Sequence, residues 1–188
     1  RRIVIDTNVA GAQSVWVAGD GGVYHTSDGG TNWLLDTNLP YTGKPVVGGC
    51  WPELATDFVI DNTVSPSRLF AAFGARSNAS SVSALSCTGT PDDVNFRKNN
   101  GIYRSADGGA SWASITGAGT GFPAVPGKVG RIALLQAPSN KKQIYALIAC
   151  ATNGVSTCTG GQFTSLGIFR TTDASLPTVT WTAGATTN

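Results

Sequence analysis

Long apolar runs and helical periodicity are both missing from this sequence of 188 residues. No stretch approaches the roughly 20 apolar residues that span a membrane, and no window repeats its apolar residues at helical spacing. Charged residues make up only 13% of the chain and the formal net charge is +2, which argues against an extended basic surface for nucleic acid. No signal peptide is recognisable, so the sequence is expected to be a mature chain or an internal piece.

Residues that bind metals are also few. His25 is the single histidine, and the four cysteines include no CxxC pair. A zinc site is therefore not favoured, and no metal or cofactor is predicted.

The sequence is rich in glycine, with 24 residues, and it repeats one glycine-containing turn. HTSDGGTNW at residues 25–33 recurs as RSADGGASW at residues 104–112. Glycine adopts positive φ without steric cost, an Asp before it accepts backbone hydrogen bonds, and the flanking residues alternate, so each copy predicts a β-hairpin. The ring that opens the second strand can cover the turn. A structural role is predicted for Thr26, Asp28, Gly30 and Trp33 in one copy, and for Ser105, Asp107, Gly109 and Trp112 in the other.

A third copy of the turn, GIFRTTDAS at residues 167–175, lacks both glycines but keeps Thr171 and Asp173. Its tryptophan, Trp181, follows the Asp by eight residues, against five in the other copies, which predicts a wider turn. The same structural role is predicted for these residues.

The repeated unit is longer than the turn. Two further apolar strands precede each predicted hairpin. The unit therefore consists of strand A, a turn, strand B, a variable loop, strand C, the repeated turn and strand D. The units cover residues 1–40, 54–118 and 129–183. Tandem four-stranded antiparallel units predict an all-β fold of propeller blades. Three blades do not close a ring, so a single partial propeller, part of a larger one, is expected.

The pattern S/T-x-D-x-G-x-x-W in the first two copies resembles the Asp box, or bacterial neuraminidase repeat. Proteins with this repeat include sialidases, xyloglucanases, the luminal domain of sortilin, a photosystem II assembly factor and many secreted bacterial proteins. The resemblance extends over all three units and implies a β-propeller. It implies little about activity, because one architecture carries hydrolases, receptors and assembly factors.

The cysteines lie in the loops or at their ends. Cys50 lies between the first two units and Cys87 in the B-to-C loop of the second, while Cys150 and Cys158 bracket a short segment of the third. D-to-A links and B-to-C loops emerge on the same face of a blade. Of the three possible pairings, this topology favours Cys50 with Cys87 and Cys150 with Cys158. Disulfides indicate an oxidising compartment, so a secreted, periplasmic or cell-surface protein is expected.

Two functions remain open. The first is a non-catalytic binding or assembly propeller that presents its long B-to-C and D-to-A loops to a protein or glycan partner, with further blades or neighbouring subunits at its sides. An aromatic ring beside mixed charges is a plausible composition for such a contact. The candidate residues are Trp51, Asp92, Asp93, Phe96, Arg97 and Lys98.

The second is one part of a secreted glycoside hydrolase whose catalytic residues lie partly in further blades. A xyloglucanase-like enzyme would use two carboxylates across a cleft, and Asp20 and Asp57 are the alternative candidates. Arg2 and Arg131 open strand A, where sialidases place arginines for a substrate carboxylate. Glu53 is the only glutamate, however, so the Tyr–Glu pair of a sialidase is not found and no catalytic residue is assigned.

Overall fold

The structure is a computed structural model that describes residues 2–9, 14–19, 21–39, 54–74, 100–123, 129–150 and 165–184. Within these ranges, twelve strands form three four-stranded antiparallel sheets. The predicted all-β fold of four-stranded blades is therefore confirmed. A search of the described ranges finds no helix suited in length and hydropathy to crossing a bilayer.

The strands of each blade pair in the order in which they follow along the chain. Blade 1 contains β1 (Arg2–Asp6), β2 (Ser14–Gly19), β3 (Gly22–Thr26) and β4 (Leu34–Leu35). Blade 2 contains β5 (Leu54–Asp61), β6 (Arg68–Gly74), β7 (Gly101–Ser105) and β8 (Ala113–Ser114). Blade 3 contains β9 (Val129–Ala137), β10 (Asn140–Cys150), β11 (Ser165–Thr171) and β12 (Thr182–Ala183).

Each blade has two faces, because successive side chains of a strand point to opposite sides of its sheet. We call the face that turns to the next blade along the chain the leading face, and the opposite one the trailing face. The leading face of blade 1 carries the cross-strand row Val4, Trp16 and His25. The equivalent rows, read from the strand registers, are Val59, Phe70 and Arg104 in blade 2 and Leu135, Tyr145 and Arg170 in blade 3.

Two apolar cores join the blades. In the first core, Trp16, Ala18 and Val23 from the leading face of blade 1 pack against the trailing face of blade 2, which contributes Phe58, Leu69, Ala71, Phe73 and Tyr103. In the second core, the leading face of blade 2 packs against the trailing face of blade 3. Strand β6 takes part in both cores, and its residues from Leu69 to Phe73 are all fully buried. Blade 2 is thus enclosed on both sides by its neighbours.

Candidate functional site

The two glycine-containing box turns have the same hydrogen bonds. Thr26 donates its hydroxyl hydrogen to Asp28 Oδ1 (2.8 Å) and accepts from the amide of Gly30 (3.0 Å). Asp28 in turn accepts from the amide and side chain of Asn32. In blade 2, Ser105, Asp107, Gly109 and Ser111 make the equivalent contacts. Both glycines have left-handed backbones, with φ of 96° and 99°. These contacts are those of a turn that closes a hairpin.

The third box keeps a hydroxyl and a carboxylate at the same spacing in the sequence, but its aspartate has other partners. Thr171 is buried, and Asp173 accepts from the amide of Ser175 (2.8 Å) and from its hydroxyl. The ammonium of Lys142 lies 3.9 Å from the other oxygen of Asp173. The longer segment before Trp181 brings Val179 into the second core, where both residues are 2% exposed. The extra residues of this turn therefore contribute to the packing between blades.

The box aspartates are held in their charged form by these hydrogen bonds. Bonds from the amide and side chain of Asn32, and from Thr26, lower the pKa of Asp28 to about 2. Bonds from the side chain and amide of Ser111 lower the pKa of Asp107. Each carboxylate with a lowered pKa stabilises the fold at neutral pH, and this contribution is lost as the pH falls through its folded-state pKa.

We expect Asp107→Ala to lower the free energy of unfolding at pH 7 by about 0.5–1.5 kcal/mol, the usual net worth of a hydrogen bond whose donors can turn to water. The difference from the parent chain should shrink as the pH falls from about 4, where an unfolded Asp protonates, through the lower folded-state pKa. Urea unfolding at pH 7 and in steps below pH 4 tests this. A difference that does not vary with pH would contradict a role for the charged carboxylate.

The tryptophans that follow the boxes reach back to the preceding blade. The indole N–H of Trp112 donates to Asp36 Oδ2 just beyond β4 (2.8 Å), and that of Trp181 donates to the carbonyl of Ile115 just beyond β8 (2.8 Å). Trp33 occupies the same place in blade 1, and it is 45% exposed. The tryptophans of the second and third boxes thus link adjacent blades.

A mixed polar and aromatic cluster lies between blades 1 and 2. His25 stacks on Trp16 at a centroid distance of 4.2 Å, and its Nε2 lies 3.1 Å from the hydroxyl of Ser14. Burial lowers the pKa of His25, and the charges of Asp36 and Asp6 oppose that shift. Burial likewise raises the pKa of Asp36. A serine beside a histidine suggests a nucleophile and base, but Ser14 is only 2% exposed and is closed off from a substrate.

Strand A of blade 2 carries the one described catalytic candidate, Asp57. Its Oδ2 accepts from the amide of Leu134 in blade 3 (2.7 Å), and its Oδ1 accepts from the amide of Phe58 (2.9 Å). The neighbouring Thr56 donates to the carbonyl of Ile132 in the same strand of blade 3 (2.8 Å). Thr56 and Asp57 thus fasten β5 to β9. Asp57 is only 8% exposed, whereas a catalytic acid or base would need to face a cleft. Sequence offered no local signal for this contact, because its partners lie 77 residues apart.

The two arginines that the sequence places at the start of strand A do not occupy equivalent positions. Arg2 pairs with Ala18 and its Nε lies 3.9 Å from Asp57 Oδ1. In blade 3 the residue at the place of Arg2 is Ala133, which pairs with Leu147. This hairpin has a register shift between Asn140 and Ile144, and two residues fewer separate Ala133 from Leu147 than separate Arg2 from Ala18, which displaces the alignment that the sequence suggested. Arg131 is exposed, and the structure gives it no shared role with Arg2.

Every described carboxylate is committed to contacts within the protein. Three more aspartates accept hydrogen bonds besides the box aspartates and Asp57. Asp6 accepts from Ser67 and from the amide of Asn8, and Asp36 accepts from Trp112 and from the amide of Asn38. Asp61 accepts from Arg68 and Thr63. The remaining acidic residues, Asp20, Glu53, Asp92 and Asp93, lie outside the described ranges. No cluster of three or more His, Cys, Asp or Glu side chains suited to a metal ion occurs in the described part of the chain.

The predicted partner-binding residues also lie outside the described ranges: Trp51, Asp92, Asp93, Phe96, Arg97 and Lys98. The same is true of Cys50, Cys87 and Cys158, so the cysteine pairing stays a prediction. Cys150 ends β10, is 1% exposed and is disulfide-bonded. The ends of the loop that carries five of the partner candidates are described. Gly74 and Gly101 bound it, and beside them the side-chain amide of Asn100 donates to the carbonyl of Val129 (2.8 Å).

The fold and these contacts define the class of the protein: it is an all-β protein of four-stranded propeller blades. No family model matches the chain, and no curated protein matches it. Among solved structures, it is similar to the GH74 enzyme of Niastella koreensis, with 15% sequence identity and a TM-score of 0.42. The similarity covers 95% of this chain and 30% of that one, so the chain spans less than a third of that enzyme's length.

Proposed function

We propose that this chain is a non-catalytic binding propeller of the secreted or cell-surface type, which presents its B-to-C and D-to-A loops to a protein or glycan partner. The blades serve as the rigid scaffold, and the loops between them supply the contacts. The alternative, a part of a glycoside hydrolase, needs two carboxylates that face a substrate.

The observation that supports the proposal is the commitment of the described carboxylates. Asp57 illustrates it, because each of its oxygens accepts a hydrogen bond from a buried strand amide. A general acid or base must reach the substrate within hydrogen-bonding distance, and a carboxylate enclosed between two blades is held away from it. All seven described aspartates accept hydrogen bonds within the chain, in turns or between strands: Asp6, Asp28, Asp36, Asp57, Asp61, Asp107 and Asp173.

Two measurements test this function. We expect no release of reducing ends when the chain is incubated with xyloglucan oligosaccharides or with sialyl-lactose. We expect retention on a glycan microarray, or on a protein partner, to disappear when residues 77–95 are replaced by a short Gly-Ser link together with Cys50→Ser. Asp107→Ala serves as the control, since it alters a box turn and leaves the loop intact. Both variants should keep the β-sheet circular dichroism of the parent chain.

Two outcomes would contradict the proposal. Release of reducing ends that is lost in Asp20→Asn, the catalytic candidate outside the described ranges, would favour the hydrolase. Binding that survives the loop replacement in a folded chain would place the contact elsewhere.

A further inference from the structure

We propose that copies of this chain associate head to tail, with the leading face of blade 3 in one copy packed on the trailing face of blade 1 in a second copy. This contact would repeat, between two chains, the packing that already joins blade 1 to blade 2 and blade 2 to blade 3. Four observations support it: two exposed apolar faces, an exposed tryptophan, an open place above a glycine and an exposed arginine.

The trailing face of blade 1 is apolar and open to solvent. Ile3 is 69% exposed and Ile5 is 60% exposed. The equivalent residue of Ile3 in blade 2, by strand register, is Phe58, which is fully buried beneath blade 1. Val15, Val17 and Tyr24 continue the face across β2 and β3. An apolar surface of this kind, on a position that blade packing otherwise covers, marks an interaction site.

The leading face of blade 3 is the complementary half. Leu135, Leu147 and Ile168 are 62%, 49% and 52% exposed. Their equivalents in blade 2 are Val59, Ala72 and Ile102, which are at most 4% exposed because blade 3 covers them. The exposed faces of blades 3 and 1 are thus a leading face and a trailing face, the same pair of faces that pack together inside the chain.

The exposed tryptophan is Trp33. The corresponding Trp112 and Trp181 each donate the indole N–H to an acceptor just after strand D of the preceding blade. The residue at that place in blade 3 is Gly184, which follows β12. In the head-to-tail contact, Trp33 of the second copy donates to the carbonyl of Gly184.

The open place lies above Gly30. At the equivalent Gly109, a Cβ atom would lie 2.5 Å from the ring of Trp16, which packs there from the preceding blade. Among the described residues, a Cβ atom at Gly30 would meet only its own Trp33, at 3.8 Å. The residue of blade 3 at the position of Trp16 is Tyr145. Its ring is of a size to pack on Gly30 of the second copy, where glycine leaves room.

A polar contact fixes the orientation. Arg104 of blade 2 donates to the carbonyls of Ala174 and Leu176 in the box turn of blade 3. Arg170 holds the same position in blade 3 and is exposed. Counted from the box hydroxyl, the carbonyls that it would reach in the second copy are those of Gly29 and Thr31. Two copies would contribute six blades, within the range of about four to eight that closed propellers have, and a head-to-tail contact that closes on itself forms a ring.

Sedimentation velocity of the chain tests the proposal. We expect a species of twice the monomer mass. Ile3→Lys on the trailing face and Leu147→Glu on the leading face should each yield a folded monomer. Mixing the two variants should restore the two-chain species, because one contact then joins an unaltered blade 3 to an unaltered blade 1. Matched controls are Leu34→Lys, a residue 69% exposed like Ile3 but on the leading face, and Leu176→Glu, which is 50% exposed in the box turn beside blade 2.

The controls should sediment as the parent chain does. A monodisperse, cooperatively melting monomer for the parent chain would overturn the proposal. Association that survives both face substitutions, or that mixing fails to restore, would overturn it as well, since the contact would then be of another kind.

Discussion

Asp57→Ala is expected to lower the free energy of unfolding by about 2–5 kcal/mol, because it leaves two buried amides without an acceptor. Those amides belong to Phe58 in the same strand and to Leu134 in blade 3. A loss of this size is large beside the roughly 5–15 kcal/mol of a typical domain. Urea unfolding followed by tryptophan fluorescence measures it.

Asp57→Asn is the graded control, since the amide side chain keeps one acceptor oxygen and exchanges the other for a donor. Its effect should fall between that of the parent chain and that of the alanine variant. If Asp57→Ala instead unfolded like the parent chain while losing a hydrolytic activity, Asp57 would belong to a catalytic site, and the proposed non-catalytic function would fail with it.

Gly109→Ala is the second substitution with a large expected effect. The backbone of Gly109 has a φ of 99°, a conformation that costs an L-residue about 1–2 kcal/mol. The new methyl group would also lie 2.5 Å from Trp16, whose ring is held between His25 and Phe58. Overpacking of this kind typically costs about 1–3 kcal/mol more. We expect a total loss of about 2–5 kcal/mol in thermal or urea unfolding.

Gly30→Ala separates the two causes. Gly30 has nearly the same backbone, with a φ of 96°, but no described residue of another blade meets its Cβ position. At protein concentrations low enough to keep chains apart, this variant should lose only the backbone contribution of about 1–2 kcal/mol. Equal losses for the two variants would show that the Trp16 ring moves aside without cost.

The local part of the fold could be predicted from the sequence. The glycines and the carboxylate of each box lie within a few residues of each other, so turn chemistry alone indicated the hairpins and the order of the strands. The alternation of apolar residues then indicated sheets with two faces. The damaged third box was also recognisable, because Thr171 and Asp173 remain at the expected spacing.

The contacts between blades could not be predicted, because they join residues far apart in the chain. Trp112 was expected to cover its own turn, yet its N–H finds its acceptor at Asp36, 76 residues earlier. The register of blade 3 was misjudged for a different reason: a shift in the pairing of β9 with β10 leaves no mark in the apolar pattern. Sequence identified the units, and only packing defines how the units meet.

The enclosure of β6 between both apolar cores has a consequence for how a disturbance travels through the molecule. Backbone pairing of strands is confined to each sheet, and blades 1 and 3 are coupled chiefly through blade 2. Such an array behaves as a one-dimensional stack in which each member senses its nearest neighbours. Opening of an end blade then exposes one face of β6 to water, and the other core keeps the opposite face covered. Phe70 and Phe73 lie on opposite faces of β6, one in each core. Unfolding of the central blade is therefore coupled to both of its neighbours.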